Sequence, residues 1–169
     1  MKERIIEEAS KLFGRTGIKS TTMDDIARHL GISKRTIYEN FKDKEALLTA
    51  CINSLHVENM SFCEKIFLKA GNVAEAILVL LQKGSEQASQ WQFNMLNDIR
   101  KYYPQVYKNS LLGVRADKQK KMEELVQRGM DEGVFRDSLN PQIIAYFFCS
   151  HDEIATLNNK GMDKFSITE

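Results

Sequence analysis

The sequence predicts an all-α protein with a three-helix N-terminal unit and a larger helical body behind it. Apolar residues recur at three- and four-residue spacing along most of the 169 residues, which is the period of an amphipathic helix. Residues that favour helix N-termini, Thr22, Ser33 and Asp43, stand directly before three of these stretches. Gly31 follows one stretch at the position where a helix commonly ends on a left-handed residue. These signals predict several helices with defined ends.

The first predicted helix runs from Lys2 to Arg15, because five apolar residues fall on one of its faces. These residues are Ile5, Ile6, Ala9, Leu12 and Phe13. Gly14 and Gly17 weaken the end of this helix. We expect it to cover the apolar residues of the two helices that follow, so that three helices bury one small core.

The stretch from Thr22 to Phe41 predicts two short helices joined by a turn. Asp24 and Asp25 lie in the first turn of the first helix, where the positive end of its dipole favours carboxylates. Gly31 ends that helix and Ser33 is the N-cap of the next. Helix, glycine-containing turn and helix, in this order, form the helix-turn-helix signature, in which the second helix enters the major groove of DNA.

The second helix of this motif carries the candidate DNA-binding residues. Its first turn faces base edges in such motifs, where Arg pairs with guanine and Asn with adenine, while hydroxyls and cations also contact phosphates. The candidates are Lys34, Arg35, Thr36, Tyr38 and Asn40. The alternative is that these residues are only the solvated face of a short amphipathic helix. The caps and the glycine turn favour the DNA-binding interpretation.

The N-terminal region resembles the DNA-binding head of the tetracycline-repressor (TetR) family. The resemblance runs from about Ile5 to Leu48 and includes Leu-Phe, Thr-Met-Asp-Asp-Ile-Ala, Gly-Ile-Ser-Lys, Thr-Ile-Tyr and Phe-Lys-Asp-Lys-Glu-Ala-Leu. It implies a dimeric, all-helical repressor whose head binds a double-stranded DNA operator and whose C-terminal body binds an inducer. It also implies the roles of six side chains: phosphate contacts from Thr22, Tyr38 and Lys44, and base contacts from Lys34, Arg35 and Thr36.

Two positions depart from the family pattern. Glu39 and Asn40 stand where such proteins often have a histidine and an aromatic residue. A carboxylate at position 39 would repel a phosphate or accept a hydrogen bond from a cytosine amine. Glu39 therefore either carries discrimination or points away from the DNA.

The fourth predicted helix begins after Asp43 and extends to Lys69, which is long enough to tie the head to the body. We accordingly expect a DNA-binding domain over residues 1–46 and a regulatory and dimerisation domain over residues 47–169. A ligand that shifts the far end of this helix would move the two heads of a dimer. Their recognition helices must lie about 34–36 Å apart to enter successive major grooves.

Further helices are predicted in the body. They cover Val73 to Gln90, a segment from Trp91 to Tyr103, the stretch from Gln105 to Gly133, and a last helix beginning at Asn140-Pro141. The last helix is apolar on nearly every side, so its own fold or a partner must bury it. The resemblance assigns this region to dimerisation, and the family's final helix is expected to be short or missing.

The body also carries aromatic and methionine residues that are candidates for a ligand pocket. They are Trp91, Phe93, Met95, Tyr103, Tyr107 and Phe147. Because few charged residues fall within these apolar faces, a small apolar or aromatic effector is favoured. The alternative is that these residues form an ordinary core, in which such side chains are common.

Composition and spacing disfavour other classes of protein. The net charge is +1, with ten Lys or Arg against eight Asp or Glu in residues 1–50, so basic residues act locally. The three cysteines have no metal-ligand or redox spacing, and the three histidines lie in no catalytic motif. The N-terminus is no signal peptide and no apolar run could span a bilayer. We expect a cytoplasmic regulator that is not an enzyme, binds no metal or cofactor, and has no membrane partner.

The alternative function is a DNA-bound protein-interaction factor without a small-molecule inducer.

Overall fold

The protein is helical along the part of the chain that the structure describes. The computed structural model describes residues 1–87 and 98–158. Its helices are α1 (Lys2–Thr16), α2 (Met23–Leu30), α3 (Lys34–Asn40), α4 (Lys44–Lys69), α5 (Val73–Gln87), α6 (98–102), α7 (Pro104–Val106), α8 (Leu112–Asp131) and α9 (Pro141–Asn158). A π-helical turn, Tyr107–Leu111, joins α7 to α8. The all-α prediction is confirmed.

The helix ends of the N-terminal head lie where the sequence predicts them. The Thr22 hydroxyl accepts a hydrogen bond from the Asp25 backbone N–H and caps α2, and Gly31 ends this helix in the left-handed conformation at φ 66°. The Ser33 hydroxyl accepts from the Thr36 N–H and caps α3. Because these local bonds satisfy amides that a helix leaves unpaired, they fix the turn between α2 and α3.

The head core is larger than the predicted three-helix core. It contains the expected apolar residues of α1, α2 and α3, but the first turns of α4 and two residues of the body complete it. The added residues are Leu47, Leu48, Cys51, Ile52, Ile99 and Val106. Helices α2 and α3 have only eight and seven residues, so with α1 they leave one side of the core open. Helices α4 and α6 and the α7 turn close it.

Helix α4 connects the head core to a second apolar cluster in the body. Its N-cap Asp43 accepts from the Ala46 N–H at 2.7 Å, and the helix ends at Lys69, as predicted. Near that end, Phe67 packs with Ala76 of α5 and Leu125 of α8. One continuous helix therefore contacts a core at each end.

The segment predicted as one helix from Gln105 to Gly133 begins one residue earlier and is interrupted by the π-helical turn. Pro104 is its first residue, a position that costs proline no hydrogen bond. Gly133 ends it at φ 71°, where glycine is favoured. The side chain of Asn140 then accepts hydrogen bonds from the first amides of α9.

None of the helices in residues 1–87 and 98–158 combines the length and apolar character that crossing a membrane requires.

Candidate nucleic-acid interface

Helix α3 is anchored on one side and open to solvent on the other. Ile37 is fully buried, and Phe41 just after the helix is also buried, so this face is held against α1, α2 and α4. The first turn carries Lys34 and Arg35 on the opposite side, where the Arg35 side chain is 88% exposed. The structure therefore holds the candidate base-reading turn outward on a buried apolar support, as a recognition helix requires.

Both cations of this turn are paired with carboxylates. The Arg35 Nε donates to Oε1 of Glu39, one turn later in α3, at 2.8 Å. The Lys34 ammonium bonds the carboxylate of Asp24 in α2, also at 2.8 Å. This bond to Asp24 raises the pKa of Lys34 above its ordinary value. The exposed turn is thus nearly neutral, although it is rich in charged groups.

The other polar candidates of α3 bond within the helix. The Thr36 hydroxyl lies 2.8 Å from the Ser33 hydroxyl, next to the N-cap bond. The Asn40 side-chain amide donates to the carbonyl oxygen of Thr36 at 2.8 Å and is half-buried. Tyr38 is exposed on the outer face. This bond uses one of the two N–H groups of the Asn40 amide, so the other N–H and the side-chain oxygen remain available to pair with adenine.

Thr22 and Asp25 form a capping box at the start of α2. The Thr22 hydroxyl accepts from the Asp25 N–H at 3.1 Å, and the Asp25 carboxylate accepts from the Thr22 N–H at 2.9 Å. A further bond from the Thr22 hydroxyl to the same carboxylate is the main reason that the pKa of Asp25 is lowered. Thr22 remains exposed, so its predicted phosphate contact stays a prediction.

The Lys44 side chain lies against Ile18 of the head and Tyr103 of the body. Its ammonium donates to the carbonyl oxygen of Ile18 and lies 5.6 Å from the centre of the Tyr103 ring. The side chain is half-buried between the α1–α2 loop and the segment that follows α6. Its predicted phosphate contact stays a prediction, and it requires the ammonium to exchange or share the Ile18 carbonyl.

A contact that sequence analysis missed joins the head to α6. The Asp98 carboxylate accepts from the backbone N–H groups of Ile18 at 3.1 Å and Lys19 at 3.2 Å. The Lys19 ammonium lies 3.4 Å from the Tyr102 hydroxyl and above the ring of the same residue. The neighbouring Lys101 and then Lys19 lower the pKa of Tyr102. No local pattern signals this contact, because about 80 residues separate its two sides.

The ligand-pocket candidates fall into three groups. Trp91, Phe93 and Met95 lie outside the described residues. Tyr103 and Tyr107 pack against the head core, and Phe147 is 67% exposed on α9. An open cleft of about 610 Å³ between α8 and α9 is instead lined mainly by polar residues such as Glu123, Arg128 and Gln142. That the six candidates form a pocket stays a prediction.

One buried polar group in the body was not among the candidates. His56 of α4 pairs through Nε2 with the Asp117 carboxylate of α8 at 3.0 Å. Its other nitrogen, Nδ1, is buried and makes no hydrogen bond within the described part of the chain. A buried nitrogen without a hydrogen-bond partner costs free energy of folding. The contact between α4 and α8 at His56 therefore leaves one polar atom unsatisfied.

Comparisons with known proteins agree with the geometry of the head. The family model of the bacterial regulatory proteins, tetR family, matches residues 5–51. The HTH-type transcriptional regulator YerO of Bacillus subtilis is 51% identical over 51 residues, 30% of this chain and 18% of YerO. YvaF of the same organism is 32% identical over 107 residues, 61% of this chain and 54% of YvaF. The chain thus matches about half or less of the length of these relatives.

Solved structures extend the likeness to the body. Escherichia coli NemR in its reduced form superimposes with a TM-score of 0.81 at 15% identity, covering 94% of this chain and 86% of NemR. A TetR-family regulator from Cytophaga hutchinsonii gives a TM-score of 0.77 at 19% identity, covering 96% and 84% of the two chains. At these identities the likeness concerns the fold alone. Over the head, residues 5–51 match the family model of the tetR-family regulatory proteins, and over most of the chain the fold is similar to that of solved TetR-family regulators.

Proposed function

We propose that this regulator is a DNA-binding repressor, acting in the cytoplasm as a homodimer, that a small apolar or aromatic ligand releases from its operator. The observation that carries the proposal is the outward first turn of α3, fixed by the buried Ile37 and by the Ser33 cap. An exposed Arg at this position can pair with guanine while the preceding helix crosses the phosphate backbone. Arg35 and Lys34 are the proposed base readers.

The homodimer is inferred from α9. Its residues Ile143, Tyr146, Phe147 and Phe148 are all exposed in the single chain. Neighbouring exposed apolar side chains of this size usually mark an interaction surface. A second copy that covers α9 would also supply the second head, and two half-sites give the affinity that one short helix lacks.

Ligand release is proposed to act through α4 and α6. Helix α4 contacts the head core through Leu48 and the body cluster through Phe67, while Asp98 of α6 holds two amides of the head. A ligand that binds more tightly when α4 or α6 is displaced favours the displaced state, and the heads shift with these helices. The difference in the ligand's affinity for the two states sets how far the equilibrium moves. On this proposal the boundary between residues 1–46 and 47–169 lies within the first turn of α4.

The alternative function is a DNA-bound factor that contacts another protein and has no small-molecule inducer. The open cleft between α8 and α9 favours it, because a cleft lined by Glu123, Arg128 and other polar residues suits a polar partner surface. A thermal-shift screen with amphiphilic compounds separates the two. A compound that both stabilises the protein and weakens its DNA complex supports regulation by a small-molecule inducer. If no compound in the screen does both, regulation by a protein partner is favoured.

The test of DNA binding uses the full chain and a library of randomised duplexes about 30 base pairs long. Arg35→Ala is expected to relax the preference at one base pair by roughly 1–3 kcal/mol. Lys44→Ala is expected to weaken binding to all sequences alike and to flatten the salt dependence. Lys120→Ala, at an exposed lysine of α8, is the matched control and should behave like the wild type. The proposal fails if all three variants bind as the wild type does.

A further inference from the structure

The ion pair between Arg35 and Glu39 has a geometry that suits base recognition. Glu39 accepts from the Arg35 Nε, which is the inner N–H of the guanidinium group. The described contacts of Arg35 leave its terminal Nη groups unused, and the side chain is 88% exposed. Because a guanidinium is a planar fork, fixing Nε also fixes the direction in which the terminal N–H groups point.

We propose that Glu39 is a specificity-determining residue that positions Arg35 for guanine. The inference rests on the proposed DNA-binding function and adds a role for one of the two residues at which the head departs from the family pattern. A bidentate contact to guanine O6 and N7 needs two N–H donors in one plane, and the Nη groups supply them without breaking the pair. Glu39 thus lowers the cost of ordering a long, flexible side chain before it meets the base.

The same carboxylate reduces attraction to DNA of any sequence. Glu39 and Asp24 pair with Arg35 and Lys34, so the exposed turn of α3 carries little excess positive charge. Non-specific binding depends on cations that neutralise phosphates, and it weakens when carboxylates occupy those cations. Glu39 therefore raises the ratio of specific to non-specific binding in two ways, through the orientation of Arg35 and through its own charge.

The test compares guanine preference and overall affinity in five variants of the full chain, two of which serve as controls. Selection from the randomised duplex library first identifies the preferred guanine, and anisotropy then measures Kd for duplexes with and without it. Arg35→Ala is expected to reduce this preference roughly 5- to 150-fold. Glu39→Ala should reduce it about two- to tenfold and should strengthen binding to unrelated duplexes. Glu39→Gln keeps an acceptor for Nε and should retain most of the preference.

Two controls make the outcome decisive. In the Arg35→Ala background, Glu39→Ala should have no further effect on guanine preference, because positioning acts only through Arg35. Asp24→Asn removes a different carboxylate from the same surface and should strengthen general binding, while the part of the guanine preference that Arg35→Ala abolishes should be unchanged. The inference is overturned if Glu39→Ala keeps the wild-type preference, or if it lowers the preference equally without Arg35. A wild-type protein that selects no sequence overturns the proposed function itself, and this inference with it.

Discussion

The head and helix α9 differ in how far their apolar side chains are buried. Ile5, Ile26 and Ile37 of the head are fully buried within one chain, whereas Tyr146 and Phe147 of α9 are more than half exposed. Both regions are amphipathic or apolar in sequence, so composition does not separate them. The difference is that the head core is closed by α4, α6 and α7 of its own chain, while the outer side of α9 meets nothing in the described part of the protein. The head core is closed within one chain, whereas the large apolar side chains of α9 remain exposed in it.

The largest expected effect tests whether the head core depends on the body. Ile99 of α6 is fully buried in the head core, so Ile99→Ala should lower the free energy of unfolding by about 2–5 kcal/mol. Urea denaturation of the full chain measures this change. Leu78→Ala, at an exposed residue of α5, should change stability by less than about 0.5 kcal/mol. Equal effects of the two substitutions would contradict the shared core.

A second prediction concerns packing at the C-terminal end of α8. A Cβ at Gly129 of α8 would lie 2.2 Å from Cδ2 of Phe135, so Gly129→Ala should destabilise the protein by about 1–3 kcal/mol. Gly113→Ala lies on the same helix with open space around it and should stabilise the protein by about 0.5–1 kcal/mol. Thermal unfolding compares the two variants. If both shifted the midpoint in the same direction, the close packing at Gly129 would be wrong.

The exposure of α9 gives the third prediction. Phe147→Glu should raise the dimer dissociation constant about tenfold or more, because it places a charge in an apolar interface, and should leave the unfolding of the monomer unchanged. Sedimentation equilibrium measures the constant. Leu68→Glu, at a more exposed apolar residue on α4, is the control and should leave dimerisation unaltered. An unchanged dimer in the Phe147 variant would remove α9 from the interface.

The smallest expected effect concerns the capping box of the head. Thr22→Ala should cost about 1 kcal/mol of stability at neutral pH, because it removes the N-cap of α2. The pKa of Asp25 is lower in the folded protein than in the unfolded chain, so the stability it contributes is present above the unfolded value. It is lost as pH falls through the lowered folded value. Denaturation at pH 7 and near pH 3 should therefore give a smaller difference between variant and wild type in acid.

Local signals in the sequence predict the ends of the helices in the head. Thr22, Ser33, Asp43 and Gly31 each act through bonds or backbone angles within a few residues, so their roles follow from the sequence alone. The end of α8 at Gly133 is predictable for the same reason. These features are confirmed because no distant contact opposes them.

Contacts between distant residues were not predictable. The Asp98 carboxylate meets the amides of Ile18 and Lys19 only because α6 folds back onto the head. The pairing of Lys34 with Asp24 depends on the angle between α2 and α3, which spacing does not give. The π-helical turn at Tyr107–Leu111 likewise has no signature in the apolar pattern. For the site, the sequence therefore identifies which side chains α3 exposes but not which of them are already paired.

The most direct test of the proposed role of α3 is sequence selection by the full chain from randomised duplex DNA at about 100 mM salt. The outward first turn of α3 and a dimer formed through α9 predict an inverted repeat that contains a preferred guanine in each half. The half-sites should be separated by one helical turn of DNA or a multiple of it. Recovery of duplexes with no shared sequence, or no retention of duplex DNA even when the salt is lowered, would contradict the proposed role of α3.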